Sequence, residues 1–182
     1  AADDHATRRL AHLRPGGNVE YDPIGVDVRA VGDIPLDFLK NQTEFETPPS
    51  PAIAKAQDTI EAADHVVLVY PLWLGTMPAR LKAFLEHLGR GNFFLDTGGD
   101  GSGWPAKKMK GKSARIVVTM GMPGLAYRLF FGSHSLKGLE AGIFKLSGFK
   151  PVRDTIFGLV EGDKARRKRM LDTMSRLGRR AR

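Results

Sequence analysis

The chain has 182 residues, 42% of them apolar, no cysteine, and 28 Lys and Arg against 20 Asp and Glu, a net charge of +8. That length suits one well-buried α/β domain rather than two, and the apolar share argues against disorder of the whole chain. The lack of cysteine excludes disulfides, thiolate metal sites and a cysteine nucleophile; no run is long enough to span a membrane and no charged segment leads into an apolar one near the start, so the chain reads as cytoplasmic.

In chain order, residues 1–14 read as a short helix, acidic at its start and basic later, in keeping with the helix dipole. Pro15-Gly16-Gly17-Asn18 stops it. Val26, Val28 and Ala30 alternate with polar residues and predict a short strand half open to solvent. Pro35 to Phe45 is irregular. Ser50 as N-cap and Pro51 at the first helical position start a helix whose buried face is Ile53, Ala56, Ile60 and Ala63.

His65 to Tyr70 is an unbroken, β-branched apolar run, the pattern of a strand buried on both faces in a parallel sheet. It feeds the loop Pro71-Leu72-Trp73-Leu74-Gly75-Thr76-Met77, and Pro78 opens a helix with Leu81, Phe84, Leu85 and Leu88 on one face. Such loops stand at the carboxyl edge where open α/β sheets bind ligands. This one is unusually apolar: either Trp73 and Leu74 fold back onto the core, or they offer a surface to a flat aromatic ligand.

The connection 89–112 is long, polar and rich in Gly and Lys, with Phe93, Phe94 and Trp104 embedded in it. Phe93 and Phe94 read as lid or substrate contacts, Trp104 as a pin to the body. Ala114 to Met120 is a second buried strand, ending in the turn Gly121-Met122-Pro123-Gly124. A helix over 135–146 closes at Gly148, a last strand runs Val152–Val160, and a last helix over 162–178 turns Met170, Leu171, Met174 and Leu177 inward. The tail 178–182 reads as frayed. Most of the excess positive charge lies on that last helix, where Arg166 to Arg169 form a solvated face rather than a nucleic-acid site. The five histidines are scattered, with no metal-ligand spacing. Strands alternating with helices predict a parallel, doubly wound sheet.

Two stretches, Tyr70-Pro71-Leu72-Trp73-Leu74-Gly75-Thr76-Met77-Pro78-Ala79-Arg80-Leu81-Lys82 and Gly111 to Pro123, followed by Pro151 to Ile156, resemble the flavodoxin-like NAD(P)H:quinone oxidoreductases. The likeness covers about residues 26–180. It implies a single flavodoxin-like domain, a three-layer α/β sandwich around a parallel sheet. The family's first, central strand and its phosphate-holding loop are not found, so residues 1–25 are atypical and that strand reads as missing or replaced. The resemblance further implies a flavoenzyme that takes a hydride from NAD(P)H through FMN or FAD to a quinone-like acceptor, working as a homodimer. Implied cofactor contacts are Pro71, Leu72, Trp73, Leu74 and Gly75 in the first loop and Thr119, Met120, Gly121 and Met122 in the second. Tyr127 and His134, placed like the family's Tyr and His after the Gly-rich turn, would be catalytic: Tyr127 as donor to the reduced ring, His134 as a source of a proton or positive charge. Two other readings stay open, a non-catalytic regulatory or binding subunit of the transporter-ancillary type, and a partial chain with impaired flavin binding. Without a phosphate loop, weak flavin binding is expected.

Overall fold

Three parallel strands carry the fold: β3 (His65–Pro71), β6 (Ser113–Met120) and β7 (Val152–Gly158), in the order β3-β6-β7. A computed structural model describes residues 27, 29–96 and 105–179 together with the backbones of two short strands, β1 (Ala11–Leu13) and β2 (Val19–Tyr21). The β3–β6 register sets Val67 opposite Arg115 and Val69 opposite Val117; in β6–β7, Arg115 meets Arg153 and Val117 meets Thr155. Parallel strands need crossovers, and here helices supply them.

One face of the sheet carries the core. Val66, Leu68 and Tyr70 of β3, Ala114, Ile116, Val118 and Met120 of β6, and Val152 and Ile156 of β7 pack together there. Against them lie α2 (Pro51–Ala62) through Ile53 and Ala56, and α3 (Ala79–Leu88) through Leu81, Phe84, Leu85 and Leu88. Ser50 accepts a bond from the Ile53 N–H and Pro51 occupies the first turn, as the sequence predicts. The same face is completed by α4 (Gly124–Phe130) and α5 (His134–Leu139). The expected helix over 135–146 thus begins one residue early and widens into a π-turn at Glu140–Lys145, spanned by an ion pair from Lys145 to Glu140 at 2.7 Å. Gly148, at φ 108°, ends it.

On the opposite face stand the alternate residues, including His65, Val67, Val69, Val117 and Phe157. Helix α6 (Lys164–Arg179) lies there beside Phe157, but none of its residues is buried. Leu171, expected to turn inward, is exposed, because Met170, Thr173, Met174 and Leu177 form the inner stripe. The layers therefore match the predicted flavodoxin-like arrangement, with a parallel sheet between helices.

Several local expectations are corrected. Ala11–Leu13, expected within a helix, is a strand paired antiparallel with Val19–Tyr21; two short β-forming segments flanking Pro15-Gly16-Gly17-Asn18 satisfy their backbone groups by pairing with each other. The predicted strand at 26–30 is not seen in its described residues: Arg29 and Ala30 lead into a single turn at Val31–Asp33, and Val26 and Val28 lie outside the described residues. Within 35–45 a short helix, α1 (Gln42–Glu46), forms because Asn41 caps it. Strand β7 ends at Gly158, before Val160, since Leu159 takes φ 57° and its N–H bonds back to the Met122 carbonyl. The 89–112 connection has structure of its own: a turn at Arg90–Asn92 and a small ladder between β4 (Leu95–Asp96) and β5 (Ala106–Lys107). Trp104 and the tail residues 180–182 lie outside the described residues, and Gly178 and Arg179 still belong to α6.

Candidate functional site

Strand β3 runs on by one residue into its loop, where the Leu72 N–H donates to the Thr119 carbonyl at 2.7 Å and ties the loop to the end of β6. The chain then reverses tightly. Trp73 and Thr76 exchange two backbone bonds, at 2.8 and 3.0 Å, around Leu74 at φ 48° and Gly75 at φ 81°. Two successive positive φ values are the pattern of a type I′ turn, which Gly75 suits and Leu74 adopts at some cost. Tight backbone bonding throws both side chains outward. Trp73 is 62% exposed and Leu74 fully so, which excludes the reading that they fold back onto the core. Pro71 is also exposed, whereas Leu72 is anchored against the core.

The turn leaves a defined pair of donors. Among the described residues the N–H groups of Leu74 and Gly75 have no acceptor, while those of Leu72 and Trp73 are spent within the chain. At the head of the loop, the Tyr70 hydroxyl is buried with no partner among the described residues, and burial followed by the neighbouring Tyr127 pushes its pKa up. An exposed indole and two free N–H groups at one strand end are a donor set that fits a flat, carbonyl-bearing ring.

The second loop plays a different part. The carbonyls of Thr119, Met120 and Met122 accept from Leu72, Val160 and Leu159, so this segment braces the strand ends, and Gly121 is its exposed point. Pro123 then leads into α4, whose first residue, Gly124, sits against Gly158. A Cβ on Gly158 would stand 2.2 Å from the Gly124 nitrogen, so only glycine permits this approach.

Tyr127 is brought to this end of the sheet but not to its surface. It is 1% exposed, stacks on Phe131 with centroids 6.4 Å apart, and shares a 2.8 Å hydrogen bond with the Ser135 hydroxyl. His134, by contrast, is exposed at the start of α5, its ring folded over Gly132. Phe93 is buried in the core with its ring edge-on to Phe94, 5.1 Å between centroids, and Phe94 packs against that core. These two rings are therefore fixed beneath the connection rather than poised above a ligand; apolar burial outweighs their place in a polar stretch.

The residues that sequence reasoning missed are apolar and exposed. Leu125, Leu129 and Phe130 of α4 are 68, 69 and 84% exposed, and Phe131 is half exposed. Their spacing was readable as one helix face, but the sequence reading stops at the turn Gly121-Met122-Pro123-Gly124 and assigns no element to residues 125–134. No group of three or more potential metal ligands comes together among the described residues. Two cavities, of about 380 and 400 Å³, lie elsewhere: one among Lys107, Lys110, Lys145 and Lys150 near the amino ends of β6 and β7, the other between β7 and α6.

Comparison with known proteins agrees with this architecture. A family model described as flavodoxin-like fold matches residues 3–179. An uncharacterized NAD(P)H oxidoreductase of Haemophilus influenzae is 33% identical over 119 residues, 63% of this chain and 57% of that protein. An FMN-dependent NADH:quinone oxidoreductase of Bordetella bronchiseptica is 24% identical over 123 residues, 65% of this chain and 58% of that protein. The chain thus spans somewhat over half the length of these curated relatives. Among solved structures, Smu.1420 from Streptococcus mutans UA159 superposes with a TM-score of 0.64 at 25% identity, covering 80% of this chain and 75% of that one. An NAD(P)H:quinone oxidoreductase from Methanothermobacter marburgensis shares the fold, with a TM-score of 0.59 at 20% identity over 75% of this chain and 68% of that one. With the parallel sheet, the flanking helices and the matched span in accord, the chain belongs to the flavodoxin-like fold family.

Proposed function

We propose that this chain is a flavin-dependent NAD(P)H oxidoreductase that uses FMN and passes reducing equivalents to a quinone-like aromatic acceptor. The carrying observation is the turn at Trp73–Thr76, which presents an exposed indole and two unused N–H donors at the carboxyl edge of a parallel sheet. Relatives named as FMN-dependent NADH:quinone oxidoreductases support FMN over FAD. When bound, FMN supplies the chemistry of accepting a hydride and handing it on.

The residues of the chain have separable tasks in this reading. Trp73 and Leu74 offer apolar surface to the ring, and the Leu74 and Gly75 N–H groups are donors for its carbonyl edge, where preorganised dipoles stabilise growing negative charge. Gly121 lets the second loop come close. His134 is the exposed group able to give a proton or hold positive charge. Tyr127 acts through Ser135 as a positioning residue, since its hydroxyl is already engaged below the surface. The exposed apolar face of α4, Leu125 with Leu129 and Phe130, supplies the contact for a homodimer that would flank the site.

The sequestered Tyr127 also favours a second reading, a flavin-binding subunit without turnover. Titration of the purified chain with FMN, followed by steady-state NADPH or NADH oxidation with a soluble quinone, tests both. Turnover that falls on Trp73→Ala and His134→Gln supports the enzyme; a yellow protein without turnover supports the subunit; no FMN binding at millimolar concentration overturns the proposal.

A further inference from the structure

The end of the sheet opposite the Trp73 loop gathers positive charge that flavin chemistry does not use. A cavity of about 380 Å³ is lined there by Lys107, Lys110, Lys145 and Lys150, with Gly148, Phe149 and Val152 completing its wall. No Asp or Glu lines it among the described residues. Of the four lysines only Lys145 meets a carboxylate, that of Glu140 at 2.7 Å. Lys107 donates to the Lys145 carbonyl at 3.4 Å, and the ammonium groups of Lys110 and Lys150 have no partner among the described residues. Neighbouring Lys112 is engaged elsewhere: it donates to the carbonyls of Glu61 and Ala63 and closes the end of α2.

The backbone, rather than counter-charge, holds these cations round one space. Lys107 stands on β5 and Lys110 in the turn after it, while Lys145 ends the π-turn and Lys150 leads into β7. Two bonds stitch these walls together, from the Met109 N–H to the Ser147 carbonyl at 2.9 Å and from the Lys150 N–H to the Lys112 carbonyl at 2.8 Å. Met109 and Ser147 are both buried. Gly148 lies at the seam: a Cβ there would stand 3.0 Å from the Lys107 Cβ and 3.2 Å from the Lys110 nitrogen, whose N–H donates to nothing among the described residues. Like charges gathered in this way repel, and a bound polyanion would relieve the repulsion without first having to order the frame.

The lining chemistry selects the class of ligand. Arginine, whose planar fork suits a single carboxylate or phosphate, is absent; lysines act as separate point charges with rotatable donors. Such charges, spread round a cavity at the lower end of the size range for small-molecule sites, suit several linked anionic groups better than one. A concave site lined from several elements also favours a compact ligand over the extended backbone of a nucleic acid. We infer that this cavity binds a short chain of linked phosphates, either free or carried on a nucleoside. Strand β6 separates it from the Trp73 turn by about 25 Å, at ~3.3 Å per residue. The inference therefore does not depend on flavin binding.

Sodium tripolyphosphate is the probe, titrated calorimetrically into the full chain in phosphate-free, low-salt buffer. A single saturable site is expected, with a melting temperature that rises with ligand concentration. Lys110→Gln with Lys150→Gln removes two exposed ammonium groups and should weaken binding by roughly tenfold or more. Lys164→Gln with Lys168→Gln on α6 removes the same charge elsewhere and should leave binding unchanged. In the unaltered chain, tripolyphosphate should slow acylation of Lys110 and Lys150 but not of Lys168, a readout that needs no variant to fold. Both orders of affinity between ATP and tripolyphosphate support the site: tighter ATP assigns the nucleotide as its source, tighter tripolyphosphate the free chain. AMP or sulfate binding as tightly as either would overturn the preference for linked phosphates. Equal losses in the two double variants would show a response to overall charge alone and overturn the site, as would equally tight binding of a short DNA duplex. No saturable binding at millimolar tripolyphosphate would overturn it outright.

Discussion

The two faces of the β3-β6-β7 sheet are built from the same three strands and differ sharply. On one, Ile116 and Val118 are wholly buried under α2, α3 and α5; on the other, Val117 of β6 is covered while Val67 and Val69 of β3 meet solvent. Strand sequence is the same kind of apolar run on both sides, so composition does not decide burial. What decides it is how many elements arrive to cover each face. Cohesion therefore lies on the α2/α3 face, and the opposite face holds groups whose surroundings can still change.

The contrast is broken most forcefully by paired truncations. Ile116→Ala should cost roughly 2–5 kcal/mol, since it opens a cavity in a packed interior. Val69→Ala should cost about 1 kcal/mol or less, because most of that side chain is already in water. Denaturant unfolding of the two variants measures the gap directly, and equal losses would mean that the open face is covered in solution.

A smaller loss is expected at the junction of β7 and α4. Gly158→Ala places a methyl 2.2 Å from the Gly124 nitrogen and 2.6 Å from the Met122 carbonyl, both backbone atoms that cannot swing aside. About 1–3 kcal/mol should be lost as the second loop is pushed away. Because that loop also holds Leu72 through Thr119, flavin affinity should fall with it. Unchanged melting and affinity would show that the junction yields freely.

The Trp73 loop should behave in the opposite way. Trp73→Ala removes a largely exposed side chain, so stability should change by about 0.5 kcal/mol or less while FMN binding weakens. Isothermal titration of wild type and variant with FMN, beside their melting curves, checks this: weaker affinity at nearly unchanged stability is expected. Severe destabilisation with unchanged FMN affinity would remove Trp73 from the site.

How much of this was legible beforehand follows the range of the forces involved. The β3-loop-α3 unit was readable because its signals are local: a β-branched run, Pro78, and Leu81, Phe84, Leu85 and Leu88 at helical spacing. Ser50 and Pro51 were readable for the same reason. Phe93 was misplaced because burial of one aromatic in a polar stretch depends on partners distant in sequence, among them the core beneath α3. Helix α4 was missed since its outer face is apolar and gives no alternation of polar and apolar residues. The buried state of Tyr127 was invisible too, because its bond to Ser135 exists only once α4 and α5 are folded against each other. For the Trp73 loop the sequence left two readings, and a pair of positive φ values chose between them.

The smallest expected effect, and the one that best sharpens the comparison of faces, is the pH dependence contributed by His65. Its Nδ1 shares a 2.7 Å bond with the Ser113 hydroxyl, and its Nε2 is buried with no partner among the described residues. Burial first, then the positive charges of Arg115 and Arg153, hold its pKa below the ordinary 6.5. In the unfolded chain the imidazole takes up its proton in the ordinary range, whereas in the folded chain it does so only at lower pH. Between those two values the unfolded state binds more protons, so stability present above pH 6.5 is lost as the pH falls toward the folded pKa. Thermal melting of the wild type and His65→Gln should therefore diverge on acidification, with the variant the less pH-sensitive of the two. Identical pH profiles for wild type and variant would remove His65 from the account.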